Sequence, residues 1–501
     1  MPTSPGLAPD AAPARDRRGA DPGTSPPVPA RAWQVLAVTA VAVFMSFLDV
    51  TIVNIAFPAL RADFASTDLA MLSWVLSGYG IAFAAALIPM GRFADRIGPR
   101  RVFLAGLVVF TAASTACGLA WDPAVLIAAR VVQALGAAAL VPASLALLLS
   151  EFPLHRRATA TAIWGASGAV AAATGPSLGG LLVAWGDWRW VFFVNVPIGL
   201  VALLLARRLL HEIHGEALDG GARPDLLGAA VLAAAIGSLS LAIVQGPSWG
   251  WASGRVLTAL GGAALMTTAF VVRSARHRAP VLDLRLFRVR SFAVANAGIF
   301  VFSLGFYALL LCNVLYLTEM WGYGIRRAGV ALTPGPLTAA VTAVVAGRLA
   351  DRFGQRVVAV PGGVLFAAGA ALLATSASAT PNYALGFLPA TVLTGTGIGL
   401  TLASFSSAAV AELPRVQFAT GSAVTACVRQ IGAVLGVAGL FAILGDTAPD
   451  LGRFQAAWWA MAATATMSAL LAVALGRVRA RDVEKPAPVF PPVPAITAVH
   501  R

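Results

Sequence analysis

Between residues 33 and 476 this chain is a succession of long apolar stretches separated by short charged segments. An apolar run of 18 or more residues is long enough to cross the hydrocarbon core of a bilayer as a helix. Hydrocarbon offers no partner for backbone N–H and C=O groups, so such a run must satisfy them internally, and a helix does so. Fourteen spans are expected, near 33–58, 71–91, 102–121, 123–150, 158–184, 189–206, 226–245, 255–272, 292–318, 328–347, 357–375, 383–404, 418–444 and 456–476. Only 12% of residues are charged, against roughly 25% in soluble proteins. The expected fold class is an all-α polytopic membrane protein.

Arginine placement tests this count. With both termini cytoplasmic, the 36 Lys and Arg residues divide into 28 on the cytoplasmic side, six outside (Arg61, Arg189, Arg255, Arg326, Arg327, Arg453) and two inside spans. That is the positive-inside bias, and a missed span would spoil it for every segment downstream. The net charge of +14 therefore reads as topogenic. No basic run with interleaved aromatics points to nucleic acid. Cys117, Cys312 and Cys427 fall within spans and suggest neither disulfides nor a metal site.

A ten-residue segment occurs twice. Gly91-Arg-Phe-Ala-Asp-Arg-Ile-Gly-Pro-Arg100 returns as Gly347-Arg-Leu-Ala-Asp-Arg-Phe-Gly-Gln-Arg356, identical at seven positions. The copies follow spans 2 and 10, so the chain is read as six helices, two inserted helices and six more. Internal repeats of this kind mark secondary transporters, whose halves rock around a central site. The expected domains are a cytoplasmic tail (1–32), an N-terminal half (33–206), a linker with two inserted helices (207–272), a basic cytoplasmic loop (273–290), a C-terminal half (291–476) and a second tail (477–501). Both tails are Pro-rich without apolar runs, a composition typical of disorder. The basic loop is expected to lie along the anionic inner leaflet.

The chemistry sits on a few residues that a bilayer would otherwise exclude. Asp49, in Leu48-Asp49-Val-Thr-Ile-Val-Asn54, is the only acidic residue deep in a span. An intramembrane carboxylate is costly unless paired or wet. Burial opposes its charge and a nearby cation restores it, so Asp49 is a candidate proton carrier as well as a candidate structural pair. Arg130 and Gln133 share one face of span 4. At 1.5 Å per residue, Arg130 lies roughly 10 Å and Asp49 roughly 13 Å below the same outer surface, so they are expected to interact. Gly165, Gly168, Gly175, Pro176, Gly179 and Gly180 give span 5 a smooth, bendable face suited to close helix packing or a pivot. In the repeated segment, Gly91, Gly98, Gly347 and Gly354 would permit a tight turn. Asp95, Asp351, Arg96, Arg100, Arg101 and Arg352 would form a cytoplasmic gate of ion pairs. Arg429 and Gln430 form a second deep polar site in span 13. Asn54, Gln133, Trp74, Tyr79, Phe306 and Tyr307 complete the candidates for a substrate cavity.

Taken together these segments resemble the Major Facilitator Superfamily, and within it the fourteen-span drug:proton antiporters. The resemblance covers residues 33–476 and rests on the repeated segment, the Asp49 segment, Arg130–Gly136, Gly175–Gly180 and Trp188-Arg-Trp-Val-Phe-Phe-Val-Asn-Val-Pro197. Ala134, Ala162 and Ala171 stand where that family usually has glycine, and Pro99 where it has a basic residue. The resemblance implies alternating access, export driven by inward proton flow, Asp49 as the coupling carboxylate and Arg130 as its modulator.

The leading expectation is a proton-driven exporter of a hydrophobic or amphiphilic drug. It would act as a monomer in a bacterial cytoplasmic membrane, with no cofactor beyond the proton gradient. The alternative is a dedicated exporter of one natural product, siderophore or metabolite. A membrane enzyme or sensor is disfavoured, because all five histidines lie outside the spans and no cluster of catalytic groups is evident. No phosphate-binding loop suggests an ATP-driven pump. An exporter with broad specificity for cations would be expected to carry further acidic residues in its cavity; with Asp49 the sole deep carboxylate, neutral, monocationic or anionic amphiphiles are favoured, and Arg429 supports the last.

Overall fold

The computed structural model describes residues 28–152, 157–212, 225–277, 280–413, 418–445 and 450–476. The predicted tails lie outside these residues except for 28–32, and Ala30 already begins the first helix. Among the described residues there is no strand. The helices of the first half are α1 (Ala30–Asp63), α2 (Leu69–Ile97), α3 (Pro99–Gly118), α4 (Pro123–Glu151), α5 (Arg157–Trp185) and α6 (Trp190–Leu209). Two more follow, α7 (Leu226–Trp249) and α8 (Gly254–Arg276). The second half comprises α9 (Arg290–Met320), α10 (Ile325–Leu332 continued by Pro334–Phe353), α11 (Gln355–Ser376), α12 (Tyr383–Ala411), α13 (Phe418–Leu444) and α14 (Leu451–Ala474).

The helices start where the sequence supplies a cap. Asp68, Asp122, Asp225, Ser253 and Asp450 each accept a hydrogen bond from a first-turn backbone N–H, and Pro99, Pro123 and Pro334 occupy first-turn positions. Several helices outrun the predicted spans. α8 continues to Arg276, so the helix absorbs the start of the basic loop expected at 273–290. The repeated segment is mostly helix rather than loop. Polar residues end the apolar run but not the helix, because water satisfies their side chains while the backbone ladder continues. The turn is confined to one elbow per copy, at Gly98 (φ +103°) and Gly354 (φ +91°). In each copy that glycine N–H donates back to an alanine carbonyl, of Ala94 at 3.1 Å and of Ala350 at 2.8 Å.

The two halves repeat one packing pattern. In the first, α1 packs on α4, α5 and α6, α2 on α4, and α3 on α4 and α6. In the second, α9 packs on α12, α13 and α14, α10 on α12, and α11 on α12 and α14. Each pairing maps onto its counterpart by adding eight to the helix number. The halves meet along two equivalent seams, α2 with α13 and α5 with α10. The inserted α7 packs against both α2 and α13, covering one seam only.

The apolar cores show how the halves are tilted. Towards the outer face a single core joins Ile55 and Phe57 of α1 and Leu72 of α2 to Tyr316, Phe441 and Trp458 of the second half. Towards the arginine-rich cytoplasmic face the cores separate. One is drawn from the first half alone, around Phe103, Phe110 and Leu140, and another from α10 and α11, around Ala346, Ala350 and Val358. The α2–α13 seam stays closed there through Ile81, Ala84 and Ile88. Along the other seam, an added Cβ at Gly165 of α5 or Gly347 of α10 would meet nothing within 4 Å. An apolar core thus joins the halves at the outer face, while at the cytoplasmic ends of α5 and α10 Gly165 and Gly347 have no close neighbour among the described residues.

Candidate functional site

Asp49 is completely buried, halfway along α1, and Arg130 of α4 is 1% exposed. Arg130 Nη1 donates to Asp49 Oδ2 in an ion pair. Gln133, one turn along α4, donates from Nε2 to Asp49 Oδ1 at 2.8 Å and accepts from Arg130 Nη1 at 2.8 Å. Asn195 of α6 donates to Asp49 Oδ1 at 3.3 Å. Behind them Ser114 of α3 accepts from Gln133 and Asn195, both at 3.1 Å, and donates to the Phe192 carbonyl at 2.9 Å. Arg130 Nε donates to the Val75 carbonyl at 3.2 Å, and its guanidinium lies 4.1 Å from the Tyr79 ring centroid and 5.7 Å from that of Phe192. A buried ion pair is tolerable only when its remaining lone pairs and protons are satisfied. Here Val75 of α2, Gln133 of α4 and Asn195 of α6 supply those partners, with Ser114 of α3 behind them.

The network borders a cavity between the halves. Its wall is formed by Val50 and Asn54 of α1, Ser77, Tyr79 and Gly80 of α2, Arg130 of α4, Tyr307 of α9, and Gln430, Ala433 and Val434 of α13. Arg130 thus has one face on Asp49 and another on the cavity. The cavity measures about 40 Å³, room for water but far short of the roughly 300–1,000 Å³ of a drug-sized site. Among the described residues the buried Ser77 and Tyr79 hydroxyls have no hydrogen-bond partner. Asn54 donates to the Val50 carbonyl at 3.1 Å, leaving its own carbonyl oxygen available.

Four of the cavity candidates, Asn54, Tyr79, Tyr307 and Gln430, line this space. Four do not. Gln133 is withdrawn into the carboxylate network. Trp74 faces the inserted α7, where an added Cβ on Gly237 would lie 4.0 Å from its ring. Phe306 stacks against Phe302 and Tyr307. Arg429 points towards α1, its guanidinium 5.8 Å from the Phe47 ring centroid. Sequence reading missed Ser114, Asn195 and Cys117, whose thiol lies 3.7 Å from Gln133 Oε1. The only signal was Asn195's place in the Trp188–Pro197 segment.

Span 5's small residues serve two partners. An added Cβ on Gly168 would lie 3.1 Å from the Phe47 ring, and one on Gly179 would lie 2.7 Å from Ile52, so this face is fitted to α1 of the same half. Gly175 likewise abuts Thr51. Gly180 and Pro176 face the other half: a Cβ on Gly180 would come within 2.8 Å of the Ile325 carbonyl, and one on Gly329 would clash with the Pro176 carbonyl. Gly165 faces open space.

Among the gate candidates, Gly91 lies against Pro142 of α4. Arg100 donates to the Leu210 carbonyl at 2.7 Å and the Arg207 carbonyl at 3.3 Å, and Arg101 pairs with Glu212 at 3.6 Å. These cations therefore fasten the elbow to the end of α6 in their own half. Arg96 is exposed, and Arg352 lies 5.2 Å over the Phe353 ring. The side chains of Asp95 and Asp351 lie outside the described residues. Among the described residues an ion pair joins the halves at the outer face, Arg61 of α1 with Glu319 of α9 at 2.7 Å.

Comparison with known proteins agrees with this architecture. The profile of the Major Facilitator Superfamily matches residues 39–219 and 295–499, passing over the segment that holds α7 and α8. The multidrug resistance protein Stp of Mycobacterium tuberculosis is 35% identical over 415 residues, 82% of this chain and 75% of that protein. Methylenomycin A resistance proteins are similar too, from Bacillus subtilis (35% over 320 residues, 64% of this chain and 68% of that protein) and Streptomyces coelicolor (33% over 407 residues, 80% and 84%). Among solved structures, a bacterial homologue of the human lysosomal transporter Spinster shares the fold, with a TM-score of 0.58 at 18% identity over 89% of this chain and 95% of that one. The chain is a multi-pass membrane transporter and belongs to the Major Facilitator Superfamily.

Proposed function

We propose that this protein is a proton-driven exporter of hydrophobic or amphiphilic small molecules, working by alternating access in the cytoplasmic membrane. The observation that carries the reading is Arg130, which is at once the partner of the buried Asp49 and part of the wall of the cavity between the halves. A proton arriving at Asp49 would neutralise it and free Arg130 for another acceptor, and a group entering the cavity would compete for the same guanidinium. Protonation and substrate binding would thereby be linked through one guanidinium, and the alternating access of the two halves would decide on which side each is taken up. The apolar core shared by the halves at the outer face would belong to one end of such a cycle, with the cavity contracted. Rocking of the halves about the α2–α13 and α5–α10 seams would expand it and reverse its access. The names of the relatives support drugs or antibiotics as the substrate class.

The test is substrate-induced proton flux in everted vesicles, comparing wild type with Asp49→Asn. Loss of flux in the variant, with the protein still folded, is the expected outcome. Coupled transport that survives the substitution would remove Asp49 from the mechanism. A second reading, export of one dedicated natural product, is supported by the resistance relatives named for a single antibiotic. A broad panel separates the two: flux evoked by several unrelated scaffolds favours the first, and flux evoked by one compound class alone favours the second.

A further inference from the structure

Arg429 is a charge that the network around Asp49 does not explain. It lies in the middle of α13, where an isolated cation is costly unless it has a function or a counter-charge. Arginine does not escape by deprotonation. Among the described residues no carboxylate pairs with Arg429, and its Nε is buried without any hydrogen-bond partner. Its guanidinium reaches across the divide between the halves to the Phe47 ring of α1, itself seated on Gly168 of α5. Phe47 lies three and seven residues to the cytoplasmic side of Val50 and Asn54, or roughly 5 and 10 Å along the helix. Arg429 therefore stands at the cytoplasmic side of the cavity, beside Gln430, which lines it. The charge balance is equally plain. Asp49 and Arg130 cancel one another, so the deep polar residues around the cavity carry a net positive charge, and Arg429 is its source.

Building on the export reading, we propose that Arg429 is a substrate-recognition residue, and that the preferred substrates are amphiphiles carrying a carboxylate or comparable anionic group. The anion would take the unpartnered Nε of Arg429 together with one of its Nη groups in a forked pair, with Gln430 as a neighbouring amide donor. The apolar body would lie against Phe47 and the α13 face formed by Ala433 and Val434. A lipophilic cation of the same shape would meet repulsion from Arg429 and find no free carboxylate to offset it.

The test compares binding of 4-(1-pyrenyl)butyrate, its primary amide and 4-(1-pyrenyl)butylammonium to the full chain. The protein sits in nanodiscs of zwitterionic lipid, binding to empty discs is subtracted, and no proton gradient is present. Wild type is expected to bind the carboxylate about ten-fold or more tighter than the amide, as a charge-assisted hydrogen bond requires, and the ammonium most weakly. Arg429→Gln should erase the difference between carboxylate and amide. Arg429→Lys should keep the order with a smaller ratio, since lysine retains charge without the fork. If wild type binds none of the three, or binds the ammonium as well as the carboxylate, the proposal is wrong. It is equally wrong if Arg429→Gln, shown folded by its melting curve and elution profile, keeps the carboxylate preference. Because this assay involves no gradient, its failure is distinct from failure of the export reading, which only the vesicle experiment addresses.

Discussion

Asp49 survives in the middle of a membrane helix because three side-chain donors reach its two oxygens, from Arg130 and Gln133 of α4 and Asn195 of α6. Removing one member of such a pair leaves the other buried and uncompensated. Arg130→Met should therefore destabilise the protein by about 3–5 kcal/mol, measured by denaturant titration in detergent micelles. Asp49→Asn combined with Arg130→Met should recover much of that loss, because no bare charge remains. If the double variant is no more stable than Arg130→Met alone, the pair is not the main partner of either residue. Both charges were legible in the sequence because a lone Asp and a lone Arg stand out against apolar spans, and helix depth alone placed them at one level. Ser114 and Asn195 were not legible, since small polar residues are common in membrane helices and commonly bond their own backbone. Trp74 illustrates the converse limit: aromaticity and position suggested a cavity residue, but which face of α2 meets α7 is a matter of tertiary packing that a single span does not record.

At the scale of elements, the recurring glycines of the repeat have a concrete cause, because Gly98 and Gly354 each turn the chain with positive φ at the same point of their half. With ψ of 131° and 151° these positions lie in a region essentially open to glycine alone, where an L-residue is strained by roughly 1–3 kcal/mol. Gly354→Ala, where a Cβ would meet nothing within 4 Å, should cost about that strain alone. Gly98→Ala should cost slightly more, because its Cβ would push aside the flexible carboxylate end of Glu212 and disturb its pair with Arg101, worth at most about 1 kcal/mol. Equal melting shifts for the two would refute this account. The α5–α10 seam has its own pinch point, where Gly329 abuts the Pro176 carbonyl and Gly180 the Ile325 carbonyl. Gly329→Leu should prevent the outer ends from closing. With the three native cysteines replaced and Asn54→Cys introduced as a reporter on the cavity wall, a membrane-impermeant maleimide added outside should label the Gly329→Leu protein faster. Unchanged labelling would mean that the seam closes elsewhere. The number of helices and their duplication could be read from the sequence, because both are written in hydrophobicity and in one repeated segment. The pairing of α2 with α13 and α5 with α10 could not, since it depends on surface shapes contributed by segments hundreds of residues apart.

For the whole molecule, alternating access requires contacts that join the halves on one face in one state and yield in the other. The outer face has such a contact in Arg61–Glu319, whose side chains are 29% and 22% exposed. Partly exposed pairs contribute only up to about 1 kcal/mol, so this one is weak enough to break in every cycle. It sits over the shared apolar core of Phe57 and Phe441, whose rings lie 5.5 Å apart. Core and ion pair must separate together if the cavity is to open outward. Arg61→Ala should therefore shift the resting balance towards the outward-open form while leaving transport largely intact, seen as faster external labelling of a cysteine at Asn54. Locking the same contact should have the opposite effect. A chain with Arg61→Cys and Glu319→Cys, joined by a short bismaleimide, should still bind substrate from the cytoplasmic side but no longer carry it across. Either single-cysteine variant treated with the same reagent should keep its transport. Export that continues at the wild-type rate in the cross-linked protein would show that the outer ends of α1 and α9 do not part, and with that the rocking of the two halves would have to be abandoned.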